Sequence, residues 1–179
     1  MYSVTKSWVA LDKSLYTRDE KTKTFSTNES WLVLDFSWCN SCTLKTGSYC
    51  TFSTGNSCTF DTGNDCAFYT GIICTFDTGG DCTFDTGNNC TFKTGSDCIF
   101  KTGNNCTFEN GGSCVVIRRD VYEVIELNWL WKIKLNWYRV KWYTRIEEQV
   151  EELTLEQVCK QLWKSIKIIN KLLILLKNK

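Results

Sequence analysis

The chain has 179 residues and a mass of 20.7 kDa, and its 21 Lys and Arg against 20 Asp and Glu leave a net charge of +1, so it is long enough for one domain with a buried core. It contains no His, no Pro, one Met, 11 Gly and 12 Cys. Without His, the Ser-His-Asp and Cys-His nucleophile pairs, imidazole metal ligands and a His proton shuttle are excluded, and the even charge balance argues against a surface that coats nucleic acid throughout.

Residues 1–41 read as an N-terminal lead and cap. The opening MYSVTKSWVALDKSLYTRDEK holds no apolar run of signal-peptide length, which favours a reducing compartment, and no segment is long enough to span a bilayer. Asn28, Asn89 and Asn105 open N-x-Ser/Thr sequons, which carry little meaning without secretion.

From Cys42 the chain falls into octads: CTLKTGSY, CTFSTGNS, CTFDTGND, CAFYTGII, CTFDTGGD, CTFDTGNN, CTFKTGSD, CIFKTGNN, CTFENGGS, then CVV. Cys42, Cys50, Cys58, Cys66, Cys74, Cys82, Cys90, Cys98, Cys106 and Cys114 all stand on this period. Every Gly lies within the octads and every Trp outside them. Strand alternation puts Cys at position 1, Phe at position 3 and Thr at position 5 on one face, with Thr at position 2 and the variable, often charged position 4 on the other. Gly at position 6 is expected to supply the positive-φ corner.

An octad alone cannot enclose an interior, because each strand needs a facing partner. Two octads per turn give a mainly β fold, a flat two-sheet β-solenoid with about 16 residues per coil. Phe60, Phe76, Phe92 and Phe108 then stack in one column and Phe52, Phe68, Phe84 and Phe100 in the facing one. At about 4.8 Å per rung the octads make a body about 22 Å tall, and its narrow core needs capping at both ends. A three-sided helix of about 24 residues per coil is the competing geometry, and the lack of any further periodicity across three octads speaks against it.

Four readings compete for the cysteines. Disulfides meet poor geometry between rung neighbours of parallel strands. Metal or iron-sulfur ligation lacks the short ligand pairs such sites use, since Cys39 and Cys42 form a lone C-x-x-C. A catalytic thiol has nothing nearby to activate it. The preferred reading is a small apolar residue stacking in a thin core.

Asp65, Asp81 and Asp97 share position 8 and one corner, and are the calcium candidates; the competing reading is a solvated turn. The outward Thr43, Thr51, Thr59, Thr75, Thr83, Thr91 and Thr107 resemble the Thr arrays of insect-type antifreeze solenoids, although Ala67 and Ile99 interrupt them. No catalytic residue, cofactor site or firm metal site emerges.

Residues 115–146 form a β-rich C-terminal cap: Trp129, Trp131, Ile133, Leu135 and Trp137 alternate with Leu130, Lys132, Lys134, Asn136 and Tyr138. An exposed aromatic and basic strand of this kind is also compatible with stacking single-stranded nucleic acid. Residues 147–179 change period. Leu155, Val158, Leu162, Ile169, Leu172 and Leu176 follow 3-4 spacing, which predicts a basic amphipathic helix, with Glu147, Glu148, Glu151, Glu152 and Glu156 at its start. Self-association or a partner protein, through this helix or the solenoid ends, is the expected use; binding a membrane surface or nucleic acid is the alternative. Charge divides likewise: the octads hold three Lys against seven acids, and residues 115–179 hold thirteen Lys and Arg against eight.

The octads CTFDTGND, CTFKTGSD and CIFKTGNN, followed by CVVIRRDVYEVIEL, resemble the octapeptide-repeat proteins of large DNA viruses of algae and protists. The resemblance spans about residues 29 to 127, with traces in KIKLN and VKWYT. It implies a β-solenoid without assigned catalytic residues, in a cytoplasmic or virion-associated structural role. The Trp-rich stretch 129–142 and the long basic helix depart from that pattern. The expectation is a non-catalytic structural, self-assembling or interaction protein.

Overall fold

The computed structural model describes residues 2–127 and 132–146, which belong to one compact unit, Met1–Ile146. The helix expected over 147–179, with Leu155, Val158, Leu162, Ile169, Leu172 and Leu176, lies outside the described residues, as do Trp129, Leu130 and Trp131.

The lead contributes β1 (Ser3–Lys6), β2 (Val9–Ala10), β3 (Thr17–Asp19), β4 (Thr24–Ser26) and β5 (Leu32–Phe36). Each octad then makes one strand: β6 (Thr43–Lys45), β7 (Thr51–Thr54), β8 (Thr59–Thr62), β9 (Ala67–Tyr69), β10 (Thr75–Thr78), β11 (Thr83–Asp85), β12 (Thr91–Thr94), β13 (Ile99–Thr102) and β14 (Thr107–Asn110). After them come β15 (Cys114–Arg118), β16 (Glu123–Leu127), β17 (Lys132–Leu135) and β18 (Tyr143–Arg145). Successive octads alternate between two nine-stranded sheets. Sheet A runs β16-β15-β13-β11-β9-β7-β5-β1-β2, and sheet B runs β18-β17-β14-β12-β10-β8-β6-β4-β3.

Within the octads every parallel pairing joins residues one 16-residue coil apart, as in Thr75↔Thr91 and Phe84↔Phe100, so the coil holds two octads rather than three. Parallel stacking also starts before the octads. β4 pairs with β6 and β5 with β7, across slightly longer steps (Phe25↔Leu44 and Leu34↔Phe52). The lead is therefore partly solenoid, with its own apolar residues in the Phe columns.

Phe52 through Phe108 at position 3 are at most 2% exposed. Rings of one column stack at 4.8–4.9 Å, and rings of facing columns meet edge to face at 4.9–5.5 Å. This satisfies the aromatic quadrupole in both directions, and each buried ring contributes about 1.5–3 kcal/mol from area alone. Leu34 and Phe25 continue the columns below, and Val116 with Ile125 and Ile133 continue them above.

Both ends close with antiparallel strands. β1 lies on β5 and β3 on β4 at one end; β16 lies on β15, and β17 with β18 on β14, at the other. Ile133 and Leu135 are buried as the alternation predicts. Trp137 departs from it: β17 ends at Leu135, and Trp137 stands 67% exposed in the following turn.

The corners correct one expectation. No glycine has a positive φ; the left-handed residue is the one at position 8, where Tyr49, Ser57, Asp65, Ile73, Asp81, Asn89, Asp97, Asn105 and Ser113 lie at φ 55–63°. Asp and Asn tolerate this region better than most residues. Glycine is needed at position 6 for space. A Cβ on Gly79 would sit 1.7 Å from Asn64 Oδ1, and one on Gly103 would sit 1.7 Å from Asn88 Oδ1. Those side-chain oxygens accept the position-7 N–H of the next coil, Asn64 from Gly80 at 3.1 Å and Asn88 from Asn104 at 3.0 Å.

Candidate functional site

The cysteines form two columns, one at each corner of the coil. The ten that stand on the octad period are at most 4% exposed, and all eleven described cysteines are free thiols. The small thiol fits where the strand leaves the corner and donates to the corner carbonyl, Cys50 to Ser48 O and Cys82 to Gly80 O, both at 3.3 Å. It also accepts along the column, from Cys50 N–H to Cys66 Sγ at 3.5 Å and from Cys98 N–H to Cys114 Sγ at 3.4 Å. Cys thus serves as an apolar core residue with a weak donor that relieves a buried carbonyl.

Burial, with the neighbouring Cys39, pushes the Cys42 thiol up to about 12. At Cys90 the hydrogen bond with the Cys106 thiol, together with burial, pushes it up to about 11. In the other column thiols share hydrogens in turn. Cys66 and Cys98, each served by two neighbouring S–H groups, are drawn down, while Cys50, Cys82 and Cys114 are pushed up. Cys39 is half-buried and packs against the core edge.

Asp65, Asp81 and Asp97 do stand in one corner column, one coil apart, beyond the stacked rings of Trp31 and Tyr49 (centroids 4.0 Å, 3° between planes). Their backbone N–H groups bond the next coil, Asp65 to Gly80 O and Asp81 to Ser96 O. Among the described residues no group of three His, Cys, Asp or Glu side chains converges where a metal could sit.

The two outer faces differ. On sheet B, Thr24, Thr43, Thr59, Thr75, Thr91 and Thr107 form an unbroken column. Beside it, position 4 is laced with ion pairs: Lys45 to Asp61 at 3.1 Å, Lys93 to Asp77 at 3.9 Å and Lys132 to Glu109 at 3.3 Å. Both Thr-column interruptions, Ala67 and Ile99, belong to sheet A. There one outward column reads Val33, Thr51, Ala67, Thr83, Ile99, Val115 and the other Asp35, Ser53, Tyr69, Asp85, Lys101, Ile117, with Val124 following Ile117. Val33, Tyr69, Ile99 and Val124 are 47–63% exposed, and no exposed large apolar side chain among the described residues belongs to a strand of sheet B.

Between Tyr69 and Ile117 the short side chains Thr83 and Asp85 leave a notch of about 230 Å³, walled by Ile99 and Lys101 and floored by Phe84. Asp85 is held at its rim by Lys101 at 3.6 Å and by Arg119, which also donates to the carbonyls of Thr86 and Lys101. Read in sequence order, position 4 looks like one irregular solvated face. Sorting the octads by parity separates a polar face from one that mixes exposed apolar side chains with the Asp85–Lys101 pair, and is the signal that reveals this patch.

Arg118 is the other residue that pattern reading passes over. It replaces Thr at position 5 of the last octad and is fully buried. It grips Asp120 through Nε at 3.1 Å and Nη2 at 2.6 Å, and donates to the carbonyls of Val140, Trp142 and Asn136. One side chain on sheet A thereby anchors the turn that carries β17 into β18. No protein-family model, no curated protein and no solved structure matches this chain.

Proposed function

We propose that this chain is a non-catalytic scaffold that joins copies or partners into a multimeric assembly, with the outer face of sheet A as its contact surface. The observation that carries this reading is the asymmetry of the two faces. Sheet B presents threonines and paired charges, whereas sheet A presents Val33, Tyr69, Ile99 and Val124 to solvent around an apolar notch. Exposed apolar side chains grouped on one face mark contact surfaces, because leaving them wet costs free energy that a partner recovers. The framework suits the task. A core of interlocked rings and corners hydrogen-bonded coil to coil holds the face rigid, so little ordering entropy is lost on contact.

The antiparallel strands at both ends break the parallel 16-residue register, so a second copy cannot continue the coil there as a further rung. Light scattering of the purified full chain across a concentration series tests the reading. The expected result is a weight-average mass that rises above 20.7 kDa with concentration. A strictly monomeric mass throughout overturns self-assembly.

A further inference from the structure

We infer that the outer face of sheet A is a two-fold, self-complementary contact with a second copy of this chain, centred between β11 and β13. This rests on the scaffold reading above and names its partner and register.

A two-fold axis lying in the contact plane and parallel to the strands keeps each outward column facing itself while reversing the order of coils. Placed between β11 and β13, it sets Asp85 of one copy opposite Lys101 of the other, and the reverse. The same operation sets Tyr69 opposite Ile117, Ala67 opposite Val115, and Ile99 opposite Thr83. Apolar side chains meet apolar ones on both sides of a charged centre. Ser53 and Thr51 then fall opposite Val124 and Glu126, at the rim of the contact.

Charge selects this register over its neighbours. Moving the axis onto β11 sets Asp85 against Asp85, and moving it onto β13 sets Lys101 against Lys101. A two-fold along the coil axis instead exchanges the two columns within each coil, setting Asp85 against Thr83 and Lys101 against Ile99 and leaving both charges without an opposite partner across the contact. Like charges facing across a contact cost far more than a paired rim gains. The chosen axis instead joins two intrachain Asp85–Lys101 pairs, each already 3.6 Å apart, into one four-charge cluster, with Arg119 of each copy on its own Asp85.

Shape agrees with charge. Tyr69, 55% exposed, is the bulkiest side chain of its column and stands beside the notch. The two-fold brings it over the partner's Ile117, which forms the far wall of the partner's notch. The notch floor of each copy, Thr83 and Asp85, faces the partner's Ile99 and Lys101, so each copy fills one recess and offers one, as an isologous contact requires. Two columns over six strands cover a few hundred Å² per copy, below the roughly 800 Å² of a standard interface, so the dimer is expected to dissociate on dilution.

Charge exchange within the full chain tests this. Sedimentation equilibrium is run on the wild type, Lys101→Glu, Asp85→Lys, the double variant carrying both, and Tyr69→Asp, with circular dichroism confirming that each is folded. Each single charge variant and Tyr69→Asp should weaken association about ten-fold or more. The double variant, which again sets opposite charges face to face, should recover most of it. Association that is unchanged in the single variants, or not recovered in the double, overturns the two-fold register while leaving self-assembly through another surface. A wild type that stays monomeric overturns self-assembly itself.

Discussion

At the scale of single residues, this chain shows how one backbone requirement can be met by different chemistry at neighbouring positions. The corner needs one left-handed residue and one without a side chain, and they are not the same residue. Position 8 carries the positive φ, where Asp65, Asp81 and Asn89 fit readily. Position 6 is glycine because the previous coil occupies the volume of its Cβ, with the Asn64 carboxamide at Gly79 and with the Gly80 backbone at Gly95. Gly79→Ala should therefore cost about 1–3 kcal/mol, since Asn64 must swing away and release the Gly80 N–H that it binds at 3.1 Å. The Asn64→Gly variant of that protein should recover part of the loss by clearing Oδ1. Recovery stays partial, because the Asn64 backbone nitrogen also lies 3.0 Å from the new methyl. Urea denaturation of the two single variants and the double closes the cycle, and additive losses would show that the crowding is not with Asn64.

At the scale of elements, the solenoid ends where its strands stop pairing in parallel, and the last octad is altered for that purpose. β15 keeps Cys114 and replaces Phe by Val116, so the smaller side chain meets Ile125 of the antiparallel β16. It replaces Thr by Arg118, whose guanidinium reaches out of the coil to hold Asp120 and the 136–142 turn. Both partners of this pair are dry, with side-chain exposures of 0% for Arg118 and 7% for Asp120. Removing one charge strands the other, so Arg118→Met should destabilise the protein by about 3–5 kcal/mol. Arg118→Lys should recover only a fraction, because an ammonium lacks the planar fork that serves the carboxylate and three carbonyls together. Equilibrium unfolding in urea measures both. A loss below about 1 kcal/mol for Arg118→Met would mean that the cap is held mainly by its strands.

At the scale of the whole molecule, thiol columns run through every coil of the octads from Cys42 to Cys114, so their protonation is a property of the whole repeat body. Cys42 and Cys90 are held up at about 12 and about 11, against the ordinary thiol value of 9.0. Above pH 9 the unfolded chain sheds these protons while the folded chain keeps them. The unfolded state then binds fewer protons, and stability falls as pH rises from about 9 toward 11 or 12. Denaturation midpoints measured from pH 8 to 11 should decline, and the decline should be shallower in a Cys42→Ala, Cys90→Ala variant. Equal slopes would assign the alkaline loss to Tyr and Lys instead.

What the sequence by itself determined was the coil: the octad period, strand alternation and the size of Phe leave little else than two octads per turn with Cys and Phe inside. The Asp column was equally legible, because position in a strict repeat is position in space. Tertiary structure alone decided the rest. The lead joins the coil although its spacing is irregular, since stacking tolerates a longer corner where Phe25 and Leu34 still reach the Phe columns. Glycine's role at the corner depends on a side chain fifteen residues away along the chain. Arg118 has Asp120 two residues along the chain, but gained its three carbonyl partners only when a distant turn folded over it. The apolar side chains on the outer face of sheet A escape a reading in chain order, because Tyr69, Ile99 and Ile117 are scattered along the chain and come together only across coils.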